Sequence, residues 1–199
     1  MTGNNRVFLI GLMVVIAFGA GCLLGFFAGV GSTKAGSRFM REVLSSESPA
    51  ETEKPQLITR KAFQLKYPRN WKVDTADEDY EPDHLFSINS SGQSTVTFVI
   101  LEKSVDQKEH VRIHENAFVP KLIADPTRTE FRRWGRFEGN GVELKGHMLH
   151  IVRGSVRIFC HSGKNSSFTV IEQTNDEDAP SVKPGFALVE NSFTLTDKP

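Results

Sequence analysis

Phe63-Gln64-Leu65-Lys66-Tyr67-Pro68-Arg69-Asn70-Trp71 is the stretch from which the fold is read. Phe63, Leu65 and Tyr67 alternate with polar residues, the period-2 pattern of a strand with one face buried. Pro68 cannot donate to a sheet ladder and ends the strand, and Arg69-Asn70 supplies the turn.

Downstream, the same test predicts strands at His84–Ile88 and Thr95–Leu101, joined through Asn89-Ser90-Ser91-Gly92 as a hairpin. Ser104 with Gln107 three residues later reads as a capping box that opens a helix. Val111, His114, Phe118 and Leu122 share one face of that helix, and Pro120 bends or ends it. Thr127–Trp134 returns as a strand. Gly139-Asn140-Gly141 reads as a turn, followed by four antiparallel strands at Val142–Lys145, Leu149–Arg153, Ser155–Cys160 and Ser167–Gln173. Gly154 and Gly163-Lys164-Asn165 are expected turns. A helix over Val182–Glu190 and an extended Phe193–Leu195 close the chain. Strands, helix, many strands and helix give an α+β class, with helices packed on a mostly antiparallel sheet.

The pattern Phe63-x-Leu65-x-Tyr67-Pro68-x-x-Trp71 resembles the opening strand and turn of PsbP-like domains, named for an extrinsic subunit of the photosystem II oxygen-evolving complex. The closing Phe186-Ala187-Leu188-Val189-x-x-Ser192-Phe193 is similar to that family's final helix. The resemblance covers roughly residues 58–196. It implies a central antiparallel sheet flanked by helices on both sides, an α/β/α sandwich. It also implies a non-enzymatic accessory role with no cofactor, and a domain on the extracytoplasmic side of a membrane.

Upstream, Val7–Val30 contains no charged residue in 24 positions. As a helix it is roughly 36 Å long and crosses a bilayer core of about 30 Å with some tilt. It exceeds the usual apolar region of a cleaved signal peptide. The expected organisation is therefore a tail over 1–6, a transmembrane helix over 7–30, a flexible linker over 31–57 and an α+β domain over 58–199. The linker is rich in Ser, Gly, Glu and Lys and carries Pro49 and Pro55, a composition that cannot offset its ordering entropy by burial. Ala17, Gly21, Gly25 and Gly29 recur every four residues, so Gly21, Gly25 and Gly29 are candidates for close packing against a second copy of the helix. Arg6 precedes the span while Lys34, Arg38 and Arg41 follow it, which by positive charge favours a cytoplasmic domain. The sequence thus leaves the side of the membrane undetermined.

Charge restricts the partners. From Leu57 to Pro199 there are 19 Lys plus Arg and 20 Asp plus Glu, a net of −1. Such a domain has no global field to draw in nucleic acid. The two cysteines, Cys22 in the apolar run and Cys160 in the domain, cannot meet in a disulfide.

Four features could carry chemistry. His110 and His114 are spaced i, i+4 and could chelate zinc, but Val111 stands where a metalloprotease places its glutamate. Asp74, Asp77, Glu78, Asp79, Glu81 and Asp83 form an acidic loop over 74–83. Counted from Asp77, Pro82 and Ile88 stand where a calcium loop needs glycine and glutamate. Arg128, Arg132, Arg133 and Arg136 surround Trp134 and offer arginine and aromatic anchors for a protein partner. Cys160 alternates with Val156 and Ile158, as a core residue does. The expectation is a membrane-anchored, non-enzymatic accessory module with a protein partner, no nucleic acid and no cofactor. A metal-dependent enzyme or sensor built on His110 and His114 is the alternative.

Overall fold

The computed structural model describes residues 47–148 and 152–196. The expected transmembrane helix over 7–30 and its glycine stripe lie outside the described residues. Among the described residues no helix is long and apolar enough to cross a membrane.

Ten strands and two helices make up this part of the chain. In order they are β1 (Gln56–Thr59), β2 (Phe63–Tyr67), β3 (Lys72–Val73), β4 (Leu85–Asn89), β5 (Thr95–Leu101), α1 (Gln107–Leu122), β6 (Ile123–Trp134), β7 (Phe137–Met148), β8 (Val152–Ser162), β9 (Ser167–Asn175), α2 (Ala179–Ser192) and β10 (Thr194–Leu195). A seven-stranded antiparallel sheet runs β3-β4-β5-β9-β8-β7-β6, and a three-stranded sheet runs β1-β2-β10.

The period-2 alternation of the long strands gives the large sheet two buried faces. Ile88, Val96, Phe98, Phe159, Phe168 and Val170 point one way, against Val182, Phe186 and Val189 of α2 and Phe63, Leu65 and Tyr67 of β2. Val142, Leu144, Val156, Ile158, Cys160 and Ile171 point the other way, against Val111 and Ala117 of α1. One helix therefore covers each face, with the small sheet beside α2.

Three local readings are corrected by tertiary structure. Gly139, Asn140 and Gly141 lie inside β7. A Cβ at Gly141 would fall 2.5 Å from the Phe131 ring, and one at Gly139 would fall 2.2 Å from the Cys160 carbonyl oxygen. The glycines permit close approach, and the turn lies earlier, at Gly135 with φ +54°. Gly154 also lies within a strand, so Val152 and Arg153 join Ser155–Cys160 on one long β8, while 149–151 of the expected strand Leu149–Arg153 lie outside the described residues. The helix cap is Asp106, whose Oδ1 accepts the Glu109 N–H at 3.0 Å. Ser104 instead pairs its hydroxyl with that of Ser162 at 2.9 Å.

The linker expected over 31–57 is packed onto the domain from Glu47 onward. Ala50 N donates to Ser181 O, Glu51 N to Asn70 Oδ1, and Asn70 Nδ2 to Pro49 O, each at 3.0 Å. Composition missed this because the segment is held by hydrogen bonds to residues far along the chain and buries little apolar surface.

Candidate functional site

The edge strand β6 carries most of the residues expected to meet a partner. Among the described residues it is the last strand of the large sheet and pairs only with β7. Register shifts between Ala124 and Thr127, and between Phe131 and Arg133, bend it. Such bulges twist an edge and limit uncontrolled pairing. The five residues between them, Thr127–Phe131, keep regular register with Lys145, Leu144, Glu143, Val142 and Gly141.

The arginines differ in their engagement. Arg128 Nε donates to Glu115 Oε1 on α1 at 2.6 Å and its NH1 to Glu130 Oε1 at 2.8 Å. These bonds raise its already high pKa, so it is a fixed cation that ties α1 to β6. Arg132 bonds Asn140 Oδ1, and Asn140 in turn donates to Gln107 Oε1 of α1 at 2.7 Å. Arg133 reaches Glu138 at 3.0 Å, with the two side chains 69% and 80% exposed. An ion pair that exposed contributes little and exchanges readily for a partner's carboxylate. Arg136 stands over the Phe137 ring at 5.4 Å.

Trp134 is not a contact residue. It is 1% exposed and packs against Phe98, Phe159, Phe168 and Phe193. Its Nε1 donates to Glu172 Oε1 at 2.9 Å, while Arg157 NH1 donates to Glu172 Oε2 at 2.6 Å. Burial pushes the Glu172 carboxyl upward, and Arg157 and the indole pull it back. Arg157 also lies 4.9 Å over the Phe131 ring, and Glu190 on α2 accepts the Gly135 N–H at 2.6 Å. This buried cluster, which the sequence alone did not reveal, fixes the turn end of the β6–β7 hairpin. The signal that could have found it is Glu172 in the alternation Phe168, Val170, Glu172, where a charged residue takes a core-facing position of the expected strand Ser167–Gln173.

His110 and His114 stand one helical turn apart with ring centroids at 6.4 Å. His114 is buried, and desolvation, with the charge of His110 second, pulls its pKa down to about 4. Among the described residues no group of three or more His, Cys, Asp or Glu side chains is placed to hold a metal ion. The acidic loop lies between β3 and β4, where Asp74 Oδ2 accepts from Asn89 and Asp77 Oδ1 from the Asp79 N–H. Cys160 is buried and its thiol is pushed up to about 11 by that burial, which removes it as a nucleophile at neutral pH.

The fold is shared with known structures. A point mutant of Mog1 matches with a TM-score of 0.50 and 10% identity, over 73% of this chain and 97% of that one. CyanoP, the cyanobacterial PsbP of Synechocystis sp. PCC 6803, matches with a TM-score of 0.46 and 13% identity, over 77% and 99%. A Bacteroides thetaiotaomicron protein matches at 0.44 and 10% identity over 68% of this chain, which spans 46% of that protein. At these identities the likeness is one of fold. A search of curated sequences returns no relative.

A family model described as an endonuclease domain matches residues 38–121, fewer than half of the 199. It overturns the expectation that the domain is not an enzyme, since the family it names is enzymatic. The match runs through β1–β5 and most of α1. Within it, exposed Asp83 precedes β4, and exposed Glu102 and Lys103 follow β5. The pairing Leu85↔Val99 and the bond from Ile100 N to His84 O bring those strand ends together.

Proposed function

We propose that this chain is a membrane-anchored module that presents a PsbP-like domain to a protein partner, with β6 as the contact edge. The observation that carries the reading is the outer side of β6. Its regular segment Thr127–Phe131 has no neighbouring strand among the described residues, and it is flanked by the exposed Arg132 and Arg133. An extended partner segment adds to such an edge through backbone hydrogen bonds, and the arginines set charge preference and register. Arg128 is held by Glu115 and so orients the edge. The apolar run Val7–Val30 supplies the anchor.

A photo-crosslinking amino acid at Thr129 of the full chain, expressed in cells, tests this. One discrete protein adduct is expected from position 129 and none from Lys164, which lies in the β8–β9 loop. The adduct disappears with Arg132→Glu plus Arg133→Glu. An empty lane at position 129 refutes the reading.

The endonuclease-domain match favours a second reading, a nucleic-acid hydrolase working at the adjoining ends of β4 and β5. Asp83 and Glu102 are its carboxylates and Lys103 its cation. These side chains do not by themselves form a three-donor metal group. Incubation of the full chain with supercoiled plasmid and magnesium or manganese decides it. Nicking by the parent chain but not by Asp83→Asn supports hydrolysis, and intact plasmid with both removes it.

A further inference from the structure

The near-zero charge of the domain conceals a segregation. Between Lys54 and Lys72 stand Lys54, Arg60, Lys61, Lys66, Arg69 and Lys72, with no Asp or Glu. The next residues, Asp74 to Asp83, contain Asp74, Asp77, Glu78, Asp79, Glu81 and Asp83 and no cation. The basic half builds β1, β2 and their flanks.

Register divides the small sheet into two faces. Ile58 opposite Leu65, and Phe63 opposite Leu195, face the core. Leu57 opposite Lys66, and Thr59 opposite Gln64, face outward, with Thr194 beside Gln64. Leu57 is 59% exposed, a large apolar side chain set beside a lysine. Lys54, Lys61, Arg69 and Lys72, which flank these two strands in the chain, are exposed. Arg60 is engaged, with Nε donating to Pro82 O at 3.3 Å. The other five cations have no carboxylate within ion-pair distance among the described residues. Exposed Glu51 and Glu53 stand just before Lys54 and leave the segment from Lys54 to Lys72 cationic. An exposed leucine opposite Lys66, with further unpaired cations on the same two strands and their flanks, adds nothing to the core.

We propose that the outer face of the β1-β2-β10 sheet docks on an anionic bilayer surface. Two features of the patch select this occupant. Lysines and arginines are drawn to anionic headgroups, and Leu57 at their centre is placed to enter the boundary between headgroups and acyl chains. The third argument is reach, and it rests on the anchored reading above. Residues 31–46 separate the apolar run from Glu47, and about 16 residues extend at most roughly 55 Å. Glu47 is clamped to the domain by Ser90, Ser91 and Gly92. The tether therefore ends at the Ser90–Gly92 loop, next to Asn89, which pairs with Lys72, and four residues on Glu51 O accepts the Arg69 N–H, so the patch stays close to the bilayer. An acidic protein segment would match the cations but not the leucine or its position beside the tether.

The test uses the full chain with Cys22→Ser and an environment-sensitive fluorophore on Thr59→Cys, which lies on the outward face. It is reconstituted into vesicles of phosphatidylcholine alone or mixed with phosphatidylserine, each carrying brominated acyl chains. Several-fold stronger quenching is expected with phosphatidylserine. It is lost in high salt and in Lys54→Glu/Lys66→Glu/Arg69→Glu, whose exposed substitutions leave the circular dichroism unchanged. Equal quenching in both lipids, or none in either, overturns the proposal. Absent quenching together with binding of a polyglutamate peptide assigns the patch to an acidic protein instead. Alkaline extraction separates the two readings. If the chain is released as soluble protein, the anchor fails on its own account. Its sedimentation with phosphatidylserine vesicles then still supports the patch, and failure to sediment overturns it.

Discussion

Trp134 on β6 donates its indole N–H to Glu172 on β9 at 2.9 Å, although β7 and β8 lie between the two strands. The long ring lies across the sheet and reaches a carboxylate that is 3% exposed. Trp134→Phe keeps an aromatic ring and orphans Glu172 Oε1. Leaving a buried acceptor without its donor costs about 1–3 kcal/mol. Urea titration of Trp134→Phe should show that loss, and a change below about 0.5 kcal/mol, the size of an ordinary surface substitution, would refute the bond's role.

Two glycines are required by aromatic neighbours. A Cβ at Gly141 meets the Phe131 ring at 2.5 Å, and one at Gly185 in α2 meets the Trp71 ring at 2.5 Å. Gly141→Ala and Gly185→Ala should each destabilise the domain by about 1–3 kcal/mol, the usual cost of overpacking. For Gly185 the helix propensity of alanine works in the opposite direction by about 1 kcal/mol. A melting temperature that rises in Gly185→Ala would show that Trp71 yields at little cost.

His114 makes stability depend on pH. Its folded pKa of about 4 lies below the ordinary histidine value, so the unfolded chain binds the proton more readily. The stabilisation is complete above roughly pH 6.5 and is lost as the pH falls towards 4, by up to about 3 kcal/mol. The apolar replacement His114→Phe removes this titration. Denaturation series at several pH values should show a flatter acid limb in the variant, and parallel curves would exclude His114 as the group responsible.

Glu47 is the latch of the N-terminal segment. Its carboxylate accepts from Ser90 Oγ at 2.5 Å, Ser91 Oγ at 2.7 Å and Gly92 N at 3.1 Å. Glu47→Ala should free the amides of residues 47–52 to exchange at least ten-fold faster, while β5 and β9 keep their protection. Hydrogen exchange by mass spectrometry reads both, and unchanged exchange over 47–52 would show that Ala50 and Glu51 hold the segment without the latch.

Local pattern made much of this molecule legible. Phe63, Leu65 and Tyr67 alternate because one face of β2 must be dry, and the same rule located β4, β5 and β9 within a residue or two. The helix over Gln107–Leu122 followed from its polar N-terminus and its apolar stripe. The likeness of Phe63–Trp71 and Phe186–Phe193 to PsbP-like domains pointed to the fold that the chain shares with Mog1. The candidate contact arginines were visible as a cluster, since charge and aromatic spacing are properties of sequence.

The remainder was decided by residues distant in the chain. Gly139 and Gly141 look like turn residues until Cys160 and Phe131 occupy the space a Cβ would need. Trp134 looks like an anchor until Glu172 and four phenylalanines enclose it. Residues 47–55 read as spacer because their partners, Asn70, Ser90–Gly92 and Ser181, are remote. The basic face of β1 and β2 emerges only when register sets Leu57 beside Lys66. Sequence by itself determined periodicity, and so which residues form strands and helices and the charge they carry. Tertiary structure alone decided which side chains are enclosed and which charges share a face, because strand pairing and close packing bring together groups that no local pattern links.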